Sequence, residues 1–73
     1  MDKEEFKEQF EIRKELNAEY HVPFVGIELL SKDVVWAGYY SFAANDEDFI
    51  YFKVDGSSEY IAKIKLSSIF RVN

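Results

Sequence analysis

Few side chains in this chain are suited to catalysis or metal binding. His21 is the single histidine, and there is no cysteine. Zinc sites are built mainly from cysteine and histidine, so a site here would take most of its ligands from carboxylates. No nucleophile motif supports a catalytic triad that includes His21. We therefore expect a protein that is not an enzyme and that has no catalytic residue, no metal and no cofactor.

The acidic run Asp46-Glu47-Asp48 is the densest group of possible cation ligands. Hard cations such as Ca²⁺ favour clustered carboxylate oxygens. The run lacks the glycine and the distant glutamate of an EF-hand loop, which favours a solvated loop over a calcium site. Its three acids remain candidates for contact with a basic protein partner.

A second acidic group lies in a predicted helix over residues 2–20. This segment contains no glycine or proline, and Asp2 is suited to cap its first turn. Five acids repeat along one side at steps of three and four residues: Glu4, Glu8, Glu11, Glu15 and Glu19. Such a stripe is typical of a solvated helix face. The functional alternative is a negative surface for a basic partner, with Glu4, Glu8, Glu11 and Glu15 as candidate residues.

The other side of the predicted helix is apolar. At ~100° per residue, its apolar residues fall within an arc of about 160°; they are Phe6, Phe10, Ile12, Leu16 and Tyr20. We expect this arc to face the core. Gln9, Arg13 and Asn17 fall inside the same arc, where unpaired polar groups are costly to bury. We expect them at its margin, with contact to a partner as the alternative.

A set of rings and cations is the alternative candidate site. Aromatic side chains on a sheet can stack nucleic-acid bases, and lysine and arginine can contact phosphates. The RNA-binding candidates are Tyr39, Tyr51, Lys53, Lys63, Lys65 and Arg71. Strand alternation buries about half of the rings in such a segment, so core packing is the competing role for the aromatic residues.

Length and charge restrict the possible functions. Seventy-three residues form one domain, over 1–73, and the net charge is −5. Because binding to a phosphate backbone depends on lysine and arginine, this charge disfavours RNA as a partner. No apolar run approaches the ~18 residues of a membrane span, and the charged N-terminus is unlike a signal peptide. We expect a cytoplasmic protein with no membrane contact.

Five strands are predicted after the helix, over residues 24–30, 34–42, 49–54, 59–65 and 69–72. Pro23 favours extended backbone before it and so ends the helix. Gly38 interrupts a strand of bulky residues, which indicates a bend or a bulge. Alternation assigns one face of this second strand to Val34, Trp36, Gly38, Tyr40 and Phe42.

The connections between the later strands are also predicted. Asp55-Gly56 is a hairpin signal and predicts a tight turn over 55–58. In the fourth strand, alternation directs Tyr60, Ala62 and Ile64 inward. Residues 66–68 are typical of a single 3₁₀ turn.

Four short motifs resemble one known family. Tyr20-His21-Val22-Pro23 leads from helix to first strand, and Ala37-Gly38-Tyr39 sets an apolar-flanked glycine in the second. Leu66-Ser67-Ser68-Ile69 precedes a short last strand, with Ile64-Lys65-Leu66 before it. In these features the chain resembles the Sm-like family of small β-barrels, in its bacterial Hfq branch. The resemblance implies an α+β fold: an N-terminal helix followed by a five-stranded antiparallel, strongly bent SH3-like (Sm-like) barrel or sheet.

The chain also departs from this family. Ala43 follows Phe42, where the family has an aspartate, and the next loop is longer by about three residues than the family pattern implies. Lys65 stands where the family has a histidine. The uridine-binding residues of the family therefore do not carry over. The resemblance still implies self-association, because Sm-like chains close into rings by pairing their fourth and fifth strands between subunits.

Two functions are consistent with these observations. The first is a small, acidic, non-enzymatic protein-interaction module. Its sharper form is an inhibitor of the phage or mobile-element type that mimics nucleic acid and blocks a basic cleft. The second is an Sm-like oligomeric RNA-binding protein. Acids gathered on one surface favour the first, whereas a continuous patch of lysines beside exposed rings favours the second.

Overall fold

The computed structural model describes residues 1–53 and 59–73. It contains one α-helix, one 3₁₀ turn at Leu66–Ser68 and antiparallel strands, so the predicted α+β class with an N-terminal helix is confirmed. The elements are α1 (Lys3–Glu19), β1 (Val25–Leu29), β2 (Val34–Ala37), β3 (Tyr39–Phe42), β4 (Phe49–Lys53), β5 (Ala62–Lys65) and β6 (Ile69–Val72). The predicted strand end at Val54 and the predicted turn over 55–58 lie outside the described residues.

Polar contacts determine both ends of α1. The Asp2 carboxylate accepts the Glu5 backbone N–H at 2.8 Å, which satisfies one of the free amides of the first turn. At the other end, His21 adopts a left-handed conformation, with φ of 60°. The Val22 N–H then donates to the Asn17 carbonyl at 2.9 Å and closes the last turn. His21 therefore reverses the chain direction ahead of β1.

Within residues 1–53 and 59–73, the strands form two sheets of three and not one closed barrel. The first sheet has the order β2-β1-β6, and the second has the order β3-β4-β5. All neighbouring pairs are antiparallel. The chain passes from the first sheet to the second at Gly38, between β2 and β3, which is the position predicted for a bend.

Gly38 forms a bulge, and the bulge changes which side chains point inward. The Gly38 N–H donates to the Lys53 carbonyl at 3.0 Å, while Tyr39 is the register partner of the same lysine. Two consecutive residues therefore oppose one, and the alternation shifts by one position. Trp36 is exposed before the bulge, and Tyr40 packs against the core after it. The single shared face predicted for Val34, Trp36, Gly38, Tyr40 and Phe42 is wrong for this reason.

The first half of α1 supplies the aromatic part of the core. Phe6 is fully buried and Phe10 nearly so. The Phe6 ring lies 5.1 Å from the Tyr40 ring at an interplanar angle of 85°, and 5.7 Å from the Phe52 ring. Edge-to-face pairs of this kind add roughly 0.5–1.5 kcal/mol beyond area burial. These rings hold α1 against the inner face of the second sheet, and the helix also contacts β1 and β6 of the first sheet.

The second half of α1 packs differently from the prediction. Ile12, Leu16 and Tyr20 are 50%, 42% and 78% exposed, so their predicted place in the core is wrong. The inward positions are instead polar. Lys14 Nζ donates to the carbonyls of Pro23 and Gly38, and Asn17 Nδ2 donates to the Phe24 carbonyl at 2.8 Å. These donors satisfy backbone acceptors at the bulge and before β1, which apolar side chains could not do.

The fourth predicted strand is shorter than expected. It begins at Ala62 as β5, although the Ile61 N–H already donates to the Phe52 carbonyl at 2.8 Å. Ala62 and Ile64 pack against the core as predicted. Tyr60, which was predicted to point inward, is half exposed, because it precedes the strand and its ring lies against Tyr51.

Replacement of Phe6 by alanine tests the role of the aromatic cluster. A buried Phe→Ala change typically costs about 3–5 kcal/mol, which is most of the stability of a domain this small. Urea denaturation followed by circular dichroism should show a lower midpoint for Phe6→Leu and little folded protein for Phe6→Ala.

Ile12→Ala is the matched control on the same helix. Because Ile12 is half exposed, its replacement should change the free energy of unfolding by less than about 1 kcal/mol. An equal loss in the Phe6 and Ile12 variants would contradict the packing described above.

Candidate functional site

The outer face of the second sheet carries rings and lysines. In each strand of this sheet, alternate side chains pack against the core, among them Tyr40, Phe52 and Ile64. The intervening residues point to the other side. Together with Tyr60, which lies beside them, we call these residues the lysine–aromatic face: Tyr39, Phe49, Tyr51, Lys53, Tyr60, Lys63 and Lys65.

The register of the strands sets each lysine opposite a ring. Tyr39 pairs with Lys53 across β3 and β4. Across β4 and β5, Tyr51 pairs with Lys63 and Phe49 pairs with Lys65. Directly opposed residues in an antiparallel pair have Cβ atoms only about 5 Å apart. Three aromatic–lysine pairs are therefore side by side on one surface.

Cation–π contacts join these pairs into a continuous row. Lys53 Nζ lies 4.9 Å from the Tyr39 ring centroid and 5.3 Å from that of Tyr60. The Tyr60 ring is 5.0 Å from the Tyr51 ring. Lys63 Nζ lies 4.4 Å from the Phe49 centroid and 5.7 Å from that of Tyr51. Each contact is worth roughly 0.5–1 kcal/mol at an exposed site, enough to orient the amines without removing them from solvent.

This face is basic although the protein is acidic. The outward strand positions of β3, β4 and β5 are 39, 41, 49, 51, 53, 63 and 65, and they hold three lysines and no aspartate or glutamate. Lys63 and Lys65 are exposed. The sequence predicted five members of this set but missed Phe49 and Tyr60. Alternation from Tyr51 would have identified Phe49; Tyr60 precedes its strand and gives no such signal.

Arg71 does not belong to this face. It lies in β6 of the first sheet, and its Nε donates to Glu28 Oε2 at 2.6 Å. Asn73 Nδ2 donates to the same oxygen at 3.2 Å. The guanidinium is therefore held by a carboxylate in a different sheet from the three lysines.

The acidic candidates gather at the start of α1 and in the loop before β4. Asp2, Glu4, Glu8 and Glu11 line one open recess along the helix, with Glu5 and Lys7. Asp2 and Glu4 also line an adjoining recess with Glu47 and Asp48. Glu15 is exposed further along the helix, and Asp46 is exposed in the loop. We call these residues the acidic surface: Asp2, Glu4, Glu5, Glu8, Glu11, Glu15, Asp46, Glu47 and Asp48.

Part of the acidic loop has a structural role. The Asp46 carboxylate accepts the Asp48 N–H at 3.2 Å, and the Asp46 carbonyl accepts the Phe49 N–H at 3.2 Å. Within residues 1–53 and 59–73, no three histidine, aspartate or glutamate side chains come together as a metal site. The single histidine, His21, is exposed at the end of α1.

The first sheet exposes a tryptophan that the sequence assigned to a largely apolar strand face. Trp36 is 58% exposed, and its register partner on β1 is Gly26. A Cβ added at Gly26 would stand 3.1 Å from Cζ3 of the indole, so the ring lies flat over the glycine. The missing side chain of Gly26 makes room for this arrangement.

Burial perturbs one ionisable group next to the lysine–aromatic face. Tyr40 follows Tyr39 in β3 but points inward between Phe6 and Phe10. Burial raises the pKa of the Tyr40 hydroxyl, and the charges of Glu11 and Tyr39 raise it further. Tyr40 therefore stays protonated at a pH where an ordinary tyrosine ionises.

Comparison of the chain with protein-family models, with curated proteins and with solved structures finds no match. In the described parts of the chain, no helix has the length and apolar composition needed to cross a membrane.

The raised pKa of Tyr40 predicts how stability changes with pH. The unfolded state ionises this group near its ordinary pKa of 10.0, before the folded state does. Its contribution to stability is therefore complete below pH 10 and is lost as the pH rises through the folded-state pKa. Urea unfolding at pH 8, 10 and 11 should show a smaller alkaline loss for Tyr40→Phe than for the unmodified protein.

Tyr60→Phe is the control, because Tyr60 is half exposed. The free energy of unfolding of this variant should decrease between pH 8 and pH 11 by as much as that of the unmodified protein. If Tyr40→Phe lost stability as steeply as the unmodified protein, burial of the Tyr40 hydroxyl would not be the cause.

Proposed function

We propose that the protein is a non-enzymatic module that binds single-stranded nucleic acid, with RNA as the expected class, through its lysine–aromatic face. The observation that carries this proposal is the continuous row of aromatic–lysine pairs across β3, β4 and β5. Proteins that bind single strands combine a basic track for the backbone with rings that stack bases.

The two exposed rings are the ones suited to stacking. Tyr39 and Tyr60 are 50% and 51% exposed and lie on either side of Lys53 Nζ. A base that stacks on either ring displaces the Lys53 amine from the ring face. The amine remains close enough to reach the phosphate beside that base. Each base–aromatic stack contributes about 1–3 kcal/mol.

The fold that we propose for this module is Sm-like. One helix precedes the strands, the chain bends at Gly38, and a 3₁₀ turn leads into the short last strand. In the described part of the chain, β5 and β6 are each at the edge of a sheet. Pairing of these edges between copies is the route to a homo-oligomer that the Sm-like resemblance implies, and it is the alternative to other modes of self-association. A cytoplasmic location is part of the same proposal.

A second candidate function rests on the acidic surface. Glu4, Glu8 and Glu11 repeat at steps of about 4.5–6 Å along the helix axis. Glu47 and Asp48 adjoin this row across a shared recess. A regular row of exposed carboxylates can dock on a basic protein. A more specific version of this hypothesis is that the row mimics nucleic acid and blocks a basic cleft.

Fluorescence anisotropy with labelled oligo-U and oligo-A tests nucleic-acid binding. We expect weak binding at about 50 mM salt that decreases as salt increases. Three neutralised phosphates predict a slope near −2 in a plot of log K against log salt concentration. Lys63→Gln/Lys65→Gln should weaken binding at least tenfold, and Tyr39→Ala/Tyr60→Ala by a similar factor.

Two control variants replace residues of the same types, a lysine and a tyrosine, outside the lysine–aromatic face. Lys7→Gln on α1 and Tyr20→Ala at the end of α1 replace exposed residues away from the face, so they should leave affinity unchanged within twofold. Absence of binding at ~50 mM salt, or equal losses in the test and control variants, would rule out this site.

A pull-down from the native host tests the acidic surface. If it mimics nucleic acid, the captured proteins should be nucleic-acid-binding proteins that added duplex DNA releases. Glu4→Gln/Glu8→Gln/Glu11→Gln should lose them, whereas Glu19→Gln should retain them. Capture that DNA does not reverse, or that persists in the triple variant, would exclude mimicry.

A further inference from the structure

We propose that the protein associates head to tail with itself, with α1 of one copy docked on the lysine–aromatic face of the next. The same face serves the proposed nucleic-acid binding, but self-association does not depend on that function.

The exposed side of α1 is complementary to this face: it carries the opposite charge, and it also has apolar side chains that can pack on rings. Glu8, Glu11 and Glu15 are exposed along one line of the helix. Ile12 and Leu16 lie beside that line and are half exposed. The helix therefore offers carboxylates with an apolar row along one flank.

The lysine–aromatic face offers the complementary groups. Lys63 and Lys65 present exposed amines on β5. Tyr39 and Tyr60 present half-exposed rings on either side of the Lys53 amine. A docked helix would set its glutamates against the β5 lysines and its two aliphatic side chains against the tyrosine rings. Aromatic anchors of this kind supply much of the energy of protein interfaces.

The two surfaces cannot meet within one molecule. Phe6 and Phe10 seat α1 on the inner face of the second sheet, whereas the lysines project from the outer face. Contact between them requires two copies and joins unlike surfaces, so a bound pair still offers one free helix and one free face. Such an interface continues to a third copy unless the rotation closes a ring.

Charge repulsion also disfavours the two symmetric arrangements, in which a face pairs with a face or a helix pairs with a helix. Pairing two lysine–aromatic faces would bring Lys53, Lys63 and Lys65 of both copies together. Pairing two helices through Ile12 and Leu16 would bring both acidic rows together. Like charges across an interface oppose association, so helix-on-face docking is favoured over both.

Two variants, in which charged side chains are replaced by neutral glutamine, test this geometry. Lys63→Gln/Lys65→Gln disables the face, and Glu8→Gln/Glu11→Gln/Glu15→Gln disables the helix; all five positions are exposed, so both variants should fold. Sedimentation equilibrium of the unmodified protein at about 1 mM, where a Kd near 1 mM is detectable, should give a mass above 8.6 kDa at low salt. About 0.5 M salt should return the mass to that of the monomer.

The mixture of the two variants is the decisive measurement. Each variant alone should be monomeric, because each lacks one half of the interface. An equimolar mixture should form a one-to-one dimer and nothing larger, because only one helix and one face remain functional. Lys7→Gln/Glu19→Gln, which alters exposed α1 positions outside the proposed contact, should associate like the unmodified protein.

Three outcomes would overturn the proposal: a monomer at about 1 mM in low salt, association of either variant alone, or failure of the mixture to dimerise. Association of both variants alone would indicate edge-strand pairing of β5 and β6 instead. The helix variant separates this proposal from the proposed function, because it should still bind oligo-U. An unmodified protein that binds oligo-U but stays monomeric overturns only the self-association proposal, and an unmodified protein that self-associates but does not bind oligo-U overturns only the proposed function.

Discussion

At Gly38 two residues of the chain oppose one residue of β4, and this offset decides which side chains of the second sheet reach the core. Tyr40 turns inward to meet Phe6 because the bulge shifts the alternation by one position. Tyr39 turns outward to meet Lys53 for the same reason. Without the offset, these two neighbours would exchange sides. The aromatic core and the lysine–aromatic face are therefore two consequences of one backbone feature.

Polar side chains of α1 donate hydrogen bonds to the backbone near the same bulge. Lys14 donates to the Gly38 carbonyl, and Asn17 donates to the Phe24 carbonyl, at the point where the sheets diverge. A bulge leaves backbone acceptors outside the regular ladder, and buried acceptors need donors. The second half of α1 therefore turns polar residues inward and leaves Ile12 and Leu16 half exposed. The unusual surface of this helix follows from the requirements of the strand beneath it.

Local patterns predicted the elements of this fold better than they predicted its faces. Asp2, Pro23 and Gly38 marked a helix start, a chain turn and a bend through their own backbone chemistry. The faces depend on contacts between distant segments. Periodicity defined an apolar arc on α1 but not the direction that meets the sheet, so Ile12 and Leu16 were assigned to the core.

In the candidate sites too, local sequence patterns predicted some features, whereas features that depend on contacts between distant segments were missed. Tyr51, Lys53, Lys63 and Lys65 were predicted as a set from their residue types, and the alternation of two paired strands places them on one face. Arg71 was grouped with them by charge alone, although its strand belongs to the other sheet and it pairs with Glu28. The net charge of −5 likewise concealed a basic face, because a sum over residues carries no information about where they lie.

The distance between the acidic surface and the lysine–aromatic face determines how strongly the net charge of −5 opposes the binding of a phosphate. The molecule measures 33 × 25 × 22 Å, whereas the screening length is about 8 Å at physiological ionic strength and about 30 Å at 0.01 M. At physiological salt a phosphate on the outer face is therefore largely screened from the glutamates of α1. The loop before β4 is closer, since the Leu66 N–H donates to the Asp48 carbonyl at 2.7 Å, next to Lys65. The carboxylates of that loop therefore act mainly on the Lys65 end of the face.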